Sequence, residues 1–108
     1  MVYHPSLKNG KWQTLSLAEQ MGNIGSEISR AINWKERDEE LFEKAIERGL
    51  ELLDFTIADP RWRKRLKEIV RVREFICDSV FGDKEYGNSL EDFDRYFLSF
   101  ALAARARK

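Results

Sequence analysis

Apolar residues in this chain recur at three- and four-residue steps in four separate runs, a spacing that belongs to helices buried along one side. The first run, Leu17, Met21, Ile24, Ile28, Ala31 and Ile32, predicts a helix from about Leu15 to Asn33, introduced by Thr14 and by the capping-box pattern Ser16-Leu17-Ala18-Glu19. The second, from Leu41 and Phe42 to Leu53 and Ile57, predicts a helix from Asp38, a good N-cap, to Ala58. Asp59-Pro60 then supplies another N-cap with proline at the first helical position, so a third helix starts almost at once and runs to Phe81. So short a joint makes the second and third helices antiparallel neighbours.

Gly82 is expected to end the third helix as a left-handed cap, with residues 82–87 as the one sizeable loop. Asn88 and Ser89, followed by Glu91 and Asp92, open a fourth helix that carries Leu90, Phe93, Phe97, Phe100, Ala101 and Ala104 on one face nearly to the C-terminus. No alternating strand pattern or hairpin signal is present. The expected fold is an all-α, up-down-up-down antiparallel four-helix bundle over residues 14–108, with residues 1–13 as an irregular arm. That order places Trp34 near Phe81 and Tyr86 at one pole, and brings Trp12 and Trp62 together at the other, all three tryptophans buried at bundle ends.

The third helix contains a conflict. Arg73 falls inside the apolar stripe of Trp62, Leu66, Ile69, Ile76, Cys77 and Val80, where a guanidinium is costly unless a carboxylate meets it. A buried polar contact is therefore expected, with Asp54 and Glu27 as candidate partners; the functional alternative is an anion site between helices.

The 108 residues suit a single domain, and 43% hydrophobic with 12% aromatic residues suits a folded one. Nineteen basic and nineteen acidic side chains cancel, so no global field draws the protein to nucleic acid or an anionic membrane, and any such contact has to be local. A single cysteine, Cys77, excludes an intrachain disulfide and reads as a small core residue. The segment Met1 to Lys11 lacks the charged stretch and apolar run of a targeting sequence, and no stretch is long enough to span a membrane. A cytoplasmic protein with no membrane partner is expected.

Several features invite a chemical reading. Gly22 and Gly25, with Ala18, Ser26 and Ser29, make one face of the first helix unusually small, for close packing within the chain or for an intersubunit seam. Glu40, Glu43, Glu51 and Asp54 on the second helix, with Glu91, Asp92 and Asp94 on the fourth, offer carboxylate pairs that a magnesium-dependent nucleotide pyrophosphatase would need; interleaved Lys44 and Arg48 fit an ordinary solvated face instead. Lys64, Lys67 and Arg71 share an outward stripe on the third helix, and Arg105, Arg107 and Lys108 form a second basic cluster, both suited to phosphate contacts, with Trp62 near enough to stack on a base. The competing account is neutralisation by the second helix, since residues 35–54 hold eight acidic and four basic side chains. His4 is the one histidine and lies in the arm; the arginine–histidine pair of the helical-bundle toxin ribonucleases is absent. Neither a cofactor nor a catalytic residue is expected.

Asn23-Ile24-Gly25-Ser26-Glu27-Ile28-Ser29-Arg30, followed by a charged turn and Glu40-Leu41-Phe42-Glu43-Lys44-Ala45-Ile46-Glu47-Arg48-Gly49-Leu50-Glu51-Leu52-Leu53, resembles the small prokaryotic four-helix-bundle proteins that include those encoded in 23S ribosomal RNA intervening sequences and the accessory protein of diversity-generating retroelements. The resemblance implies a non-enzymatic bundle that assembles into a ring, commonly a pentamer, and that in the retroelement case contacts a reverse transcriptase and nucleic acid through basic surfaces. It transfers no catalytic residue, and the zero net charge here departs from it. Independently, Leu98 and Leu102 lie away from the main apolar arc of the fourth helix, which favours a second buried surface and self-association. The leading expectation is a homo-oligomeric interaction module; a nucleic-acid or ribonucleoprotein accessory is the alternative, and a magnesium-dependent hydrolase a third.

Overall fold

In the computed structural model, which describes residues 10–82 and 89–106, helix α1 spans Leu17–Trp34 and begins at a complete capping box. The Ser16 hydroxyl oxygen accepts from the Glu19 amide at 3.1 Å, and the Glu19 carboxylate accepts from the Ser16 amide at 3.0 Å. Thr14 plays no part in this cap. Its hydroxyl donates to the Lys11 carbonyl and closes a short 3-10 turn, Trp12–Thr14, which is why α1 starts two residues later than the spacing predicts. Trp12 is 1% exposed and belongs to the core, so the ordered structure reaches into the segment read as an irregular arm; residues 1–9, His4 among them, lie outside the described residues.

Helix α2 spans Glu39–Ile57, capped by the Asp38 side chain, which accepts from the Leu41 amide. Asp59 and Pro60 restart the chain as predicted, but as a 3-10 turn over Pro60–Arg65; α3 proper spans Leu66–Phe81. The backbone breaks from helical geometry at Trp62 (φ −101°, ψ 20°), where the indole donates to Gln20 of α1 and the preceding Arg61 donates to the Leu15 carbonyl. Gly82 is not left-handed: its φ of −100° and ψ of −164° are extended, and its amide donates to the Asp78 carbonyl. Residues 83–88 lie outside the described residues, and α4 spans Leu90–Ala106, with the Asp92 carboxylate accepting from the Ser89 amide.

The protein is all-α with four helices, and no strand occurs among the described residues. Helix α1 is the central element, packing closely along both α2 and α4, while α3 closes the remaining side through larger groups such as the Phe75–Phe93 pair, 6.4 Å between ring centroids. Contacts step in opposite directions along α1 and α4, from Gly22–Ala101 to Gly25–Phe97 to Ser29–Asp94, so these helices run antiparallel. Helices α3 and α4 do likewise, through Arg65–Phe100, Glu68–Tyr96 and Phe75–Phe93. The core draws on all four helices, with Ile24, Ile28, Ile46, Leu53, Ile76 and Phe97 at 0–1% exposure. No described helix is long and apolar enough to cross a membrane.

The poles differ from each other. Trp12 and Trp62 meet at one, as expected, through shared bonds to Gln20. At the other, Trp34 is half-buried but Phe81 remains 64% exposed, so the expected aromatic cluster does not enclose it; Tyr86 lies outside the described residues.

Candidate nucleic-acid interface

The basic turn at the start of α3 is fixed by a buried polar network that links it to α1 and α2. Trp12 donates its indole N–H to the Thr56 hydroxyl at 3.0 Å, and Thr56 in turn donates to the Leu52 carbonyl. The Gln20 amide nitrogen donates to the Trp12 carbonyl at 2.8 Å and to the Asp59 carboxylate at 3.2 Å, while its oxygen accepts from the Trp62 indole at 2.9 Å. Asp59 also receives Arg61 side-on, and Arg61 reaches the Leu15 carbonyl at 2.7 Å. No buried side-chain nitrogen or oxygen is left unpartnered among the described residues. Arg61's hydrogen bonds hold the Asp59 carboxyl below its ordinary range against the opposing effect of burial. Both Gln20 and Thr56 are 0% exposed, and neither is singled out by the sequence pattern, because each needs a partner more than 35 residues away.

Held in this way, the turn and the first half of α3 present Arg63, Lys64, Lys67 and Arg71 around Leu66 and Val70. They form an open concavity of about 520 Å³, with Glu74 at its far end as the one lining carboxylate among the described residues. Leu66 is 37% exposed and forms part of the apolar floor. None of the four cations takes part in an ion pair among the described residues. No carboxylate of α2 forms an ion pair with this stripe among the described residues. Glu68, next along α3, is engaged by Arg65 at 2.9 Å and by the Tyr96 hydroxyl at 2.8 Å; Tyr96 is the larger cause of its lowered pKa.

The other proposed basic residues do not join this surface. Arg105 lines a separate groove between α1 and α4, and Arg107 and Lys108 lie outside the described residues. Trp62 is not placed to stack on a base beside Lys64: Arg61 covers one face of its ring at 4.4 Å, and the rest faces a groove with Leu17 and Phe100.

Arg73 is paired as expected, but it is not buried. Its Nε donates to Asp54 at 2.7 Å and its Nη2 at 3.4 Å, with the two side chains 35% and 57% exposed. The guanidinium touches the Cys77 sulfur at 3.7 Å, and Cys77 itself is half-buried. Glu27 is no partner of Arg73. It is the buried charge of the α1–α2 interface, 10% exposed and held by Arg48 at 2.9 Å and Arg30 at 3.2 Å. Gly49 lies opposite it on α2, where an added Cβ would make ordinary contact with the Ile28 Cδ1 at 3.5 Å and the Glu27 Cβ at 3.6 Å.

The carboxylates of α2 do not converge on a cation. Glu40 pairs with Lys44 at 3.1 Å and Asp54 with Arg73, and Glu43 is exposed; Glu51 is half-buried. Nor does α4 supply a second pair, since Glu91 faces Lys35 at 3.5 Å, Asp92 caps its own helix and Asp94 accepts from the Ser29 hydroxyl. Among the described residues no three potential ligands cluster. Gly25 is buried against Phe97 of the chain's own α4, and Gly22, seated against Ala101, is partly exposed at the edge of the α1–α4 groove. Leu98 and Leu102 remain 54% and 53% exposed.

No family model, curated protein or solved structure matches this chain. Its own surfaces carry the functional reading.

Proposed function

We propose that the protein is a non-catalytic helical interaction module that holds single-stranded nucleic acid along the outer face of α3. The observation that supports this most directly is the set of four cations, Arg63, Lys64, Lys67 and Arg71, which stand around an apolar floor with no ion pair among the described residues. The chain is neutral overall, so apart from these four cations it carries a net negative charge, and the positive excess is local to this face. Lys67 and Arg71 lie about 6 Å apart along the axis of α3, and Lys64 precedes them on the 3-10 turn, a row of cations suited to a repeating phosphate backbone. Leu66 and Val70 between them offer contact to sugar or base where a bare ion would find none.

Fluorescence anisotropy with a short labelled single-stranded RNA, and its DNA counterpart, at about 50 mM salt tests the reading. Binding is expected for the native chain and lost in the triple reversal Lys64→Glu, Lys67→Glu, Arg71→Glu, with Lys44→Glu on α2 as a control that leaves it intact. Equal binding by the triple variant, or no binding by the native chain, overturns it.

A further inference from the structure

Helix α4 presents an outer stripe that the fold of one chain leaves uncovered. Asp94, Leu98, Ala101 and Arg105 line a groove of about 330 Å³ whose opposite wall is made by Gly22, Ser26 and Ser29 of α1. The four α4 positions are spaced four, three and four residues apart, the step of a helix–helix seam. Leu98 is 54% exposed, and Leu102, one position beyond Ala101, is 53% exposed. Asp94 precedes Leu98 by four residues and Arg105 follows Ala101 by four, so the stripe read from its other end is the same apolar centre with its charges exchanged.

We infer that this groove takes the α4 helix of a second copy of the chain, antiparallel, across a two-fold axis near the middle of the stripe. A two-fold contact is self-complementary, each patch meeting itself. Reversal of the second helix sets Leu98 against the other copy's Ala101 and Leu102, and Asp94 against its Arg105, twice over. Both charges are free to do this: Arg105 has no ion pair among the described residues, and Asp94 spends one oxygen on Ser29. The small side chains at Gly22 and Ser26 lower the near wall, so a second helix can approach closely. Two helices pairing in this way close after two copies, unlike the ring that the family resemblance implies. No residue is shared with the α3 concavity, so the inference stands or falls independently of nucleic-acid binding.

Light scattering coupled to size exclusion on the full chain is expected to give twice the 12.8 kDa chain mass. Leu98→Glu should yield the monomer with an unchanged helical circular dichroism signal, since that side chain is exposed. Arg105→Asp should weaken the dimer about tenfold by facing two acids across the axis, and the swap Asp94→Arg with Arg105→Asp should restore it, an outcome that a merely sticky surface would not produce. A monomeric native chain at all concentrations, a mass above two chains, or a swap that fails to restore association overturns the inference.

Discussion

A Cβ added to Gly25 would stand 2.5 Å from the Cβ of Phe97, inside the space that the α4 side chain already fills. The clash is with the root of Phe97 rather than its mobile tip, so the two helix backbones would have to part. Gly25→Ala is therefore expected to destabilise the protein by about 1–3 kcal/mol despite the roughly 1 kcal/mol that alanine gains over glycine within a helix. At Gly22 the nearest atom is the Ala101 Cα at 3.2 Å, a tight contact but a longer one than at Gly25. Gly22→Ala should come out near neutral. Thermal unfolding of the two variants side by side checks the difference, and equal loss at both positions would refute it.

Asp59 gives the protein an acid limb. Its carboxyl titrates below the ordinary value of 3.8 in the folded chain, Arg61's hydrogen bond being the main cause, so its contribution is complete above that value and lost as pH falls through the folded one. Asp59→Asn keeps an oxygen for the Arg61 amide but removes the charge. The variant should lose about 2 kcal/mol at neutral pH and depend less on pH below about 4. Some acid dependence should remain, because Glu68 and Glu91 are also held low, by Tyr96 and by a backbone bond respectively. Urea unfolding at neutral and acidic pH measures both effects.

The two cross-helix ion pairs should differ in worth. Removing Glu27 strands Arg48, whose side chain is 28% exposed, at the α1–α2 interface, whereas removing Asp54 returns a third-exposed Arg73 to water. Glu27→Ala is expected to cost about 2–3 kcal/mol and Asp54→Ala under about 1 kcal/mol. Denaturant titration that ranks them in the opposite order would show the wrong charge to be structural.

The same pair marks where sequence reasoning stops. Helix spacing, the Ser16–Glu19 capping box and the Asp59-Pro60 joint are local patterns, and each reappears in the structure. Which charge is buried is not local: Glu27 lies between Ile24 and Ile28 on α1, and its cross-helix partner, Arg48, is 21 residues away on α2. Likewise the 3-10 turn that precedes α3 carries Trp62, whose partner Gln20 is 42 residues away. The basic stripe itself was legible. That no acid of α2 forms an ion pair with it among the described residues was not, since that depends on Asp54 and Glu40 finding partners elsewhere.

The stripe forms no ion pair among the described residues, and its binding to a nucleic acid sets a measurable ionic-strength dependence. Each phosphate neutralised on a single strand lowers the slope of log K against log salt by roughly 0.7, so four engaged cations imply a slope of roughly −3 and three imply roughly −2. Lys67→Ala, which removes one cation from the centre of the row, should flatten the slope by roughly 0.7 while leaving sequence preference unchanged. Arg65→Ala should barely alter it, because Arg65 is already satisfied by Glu68 and lies over Phe100. Anisotropy titrations across a salt series separate these cases. A slope near zero would mean that no phosphate is engaged and would overturn the contact, whereas a slope that Lys67→Ala leaves untouched while Arg65→Ala flattens it would move the contact from the outer face of α3 to the Phe100 side of the turn.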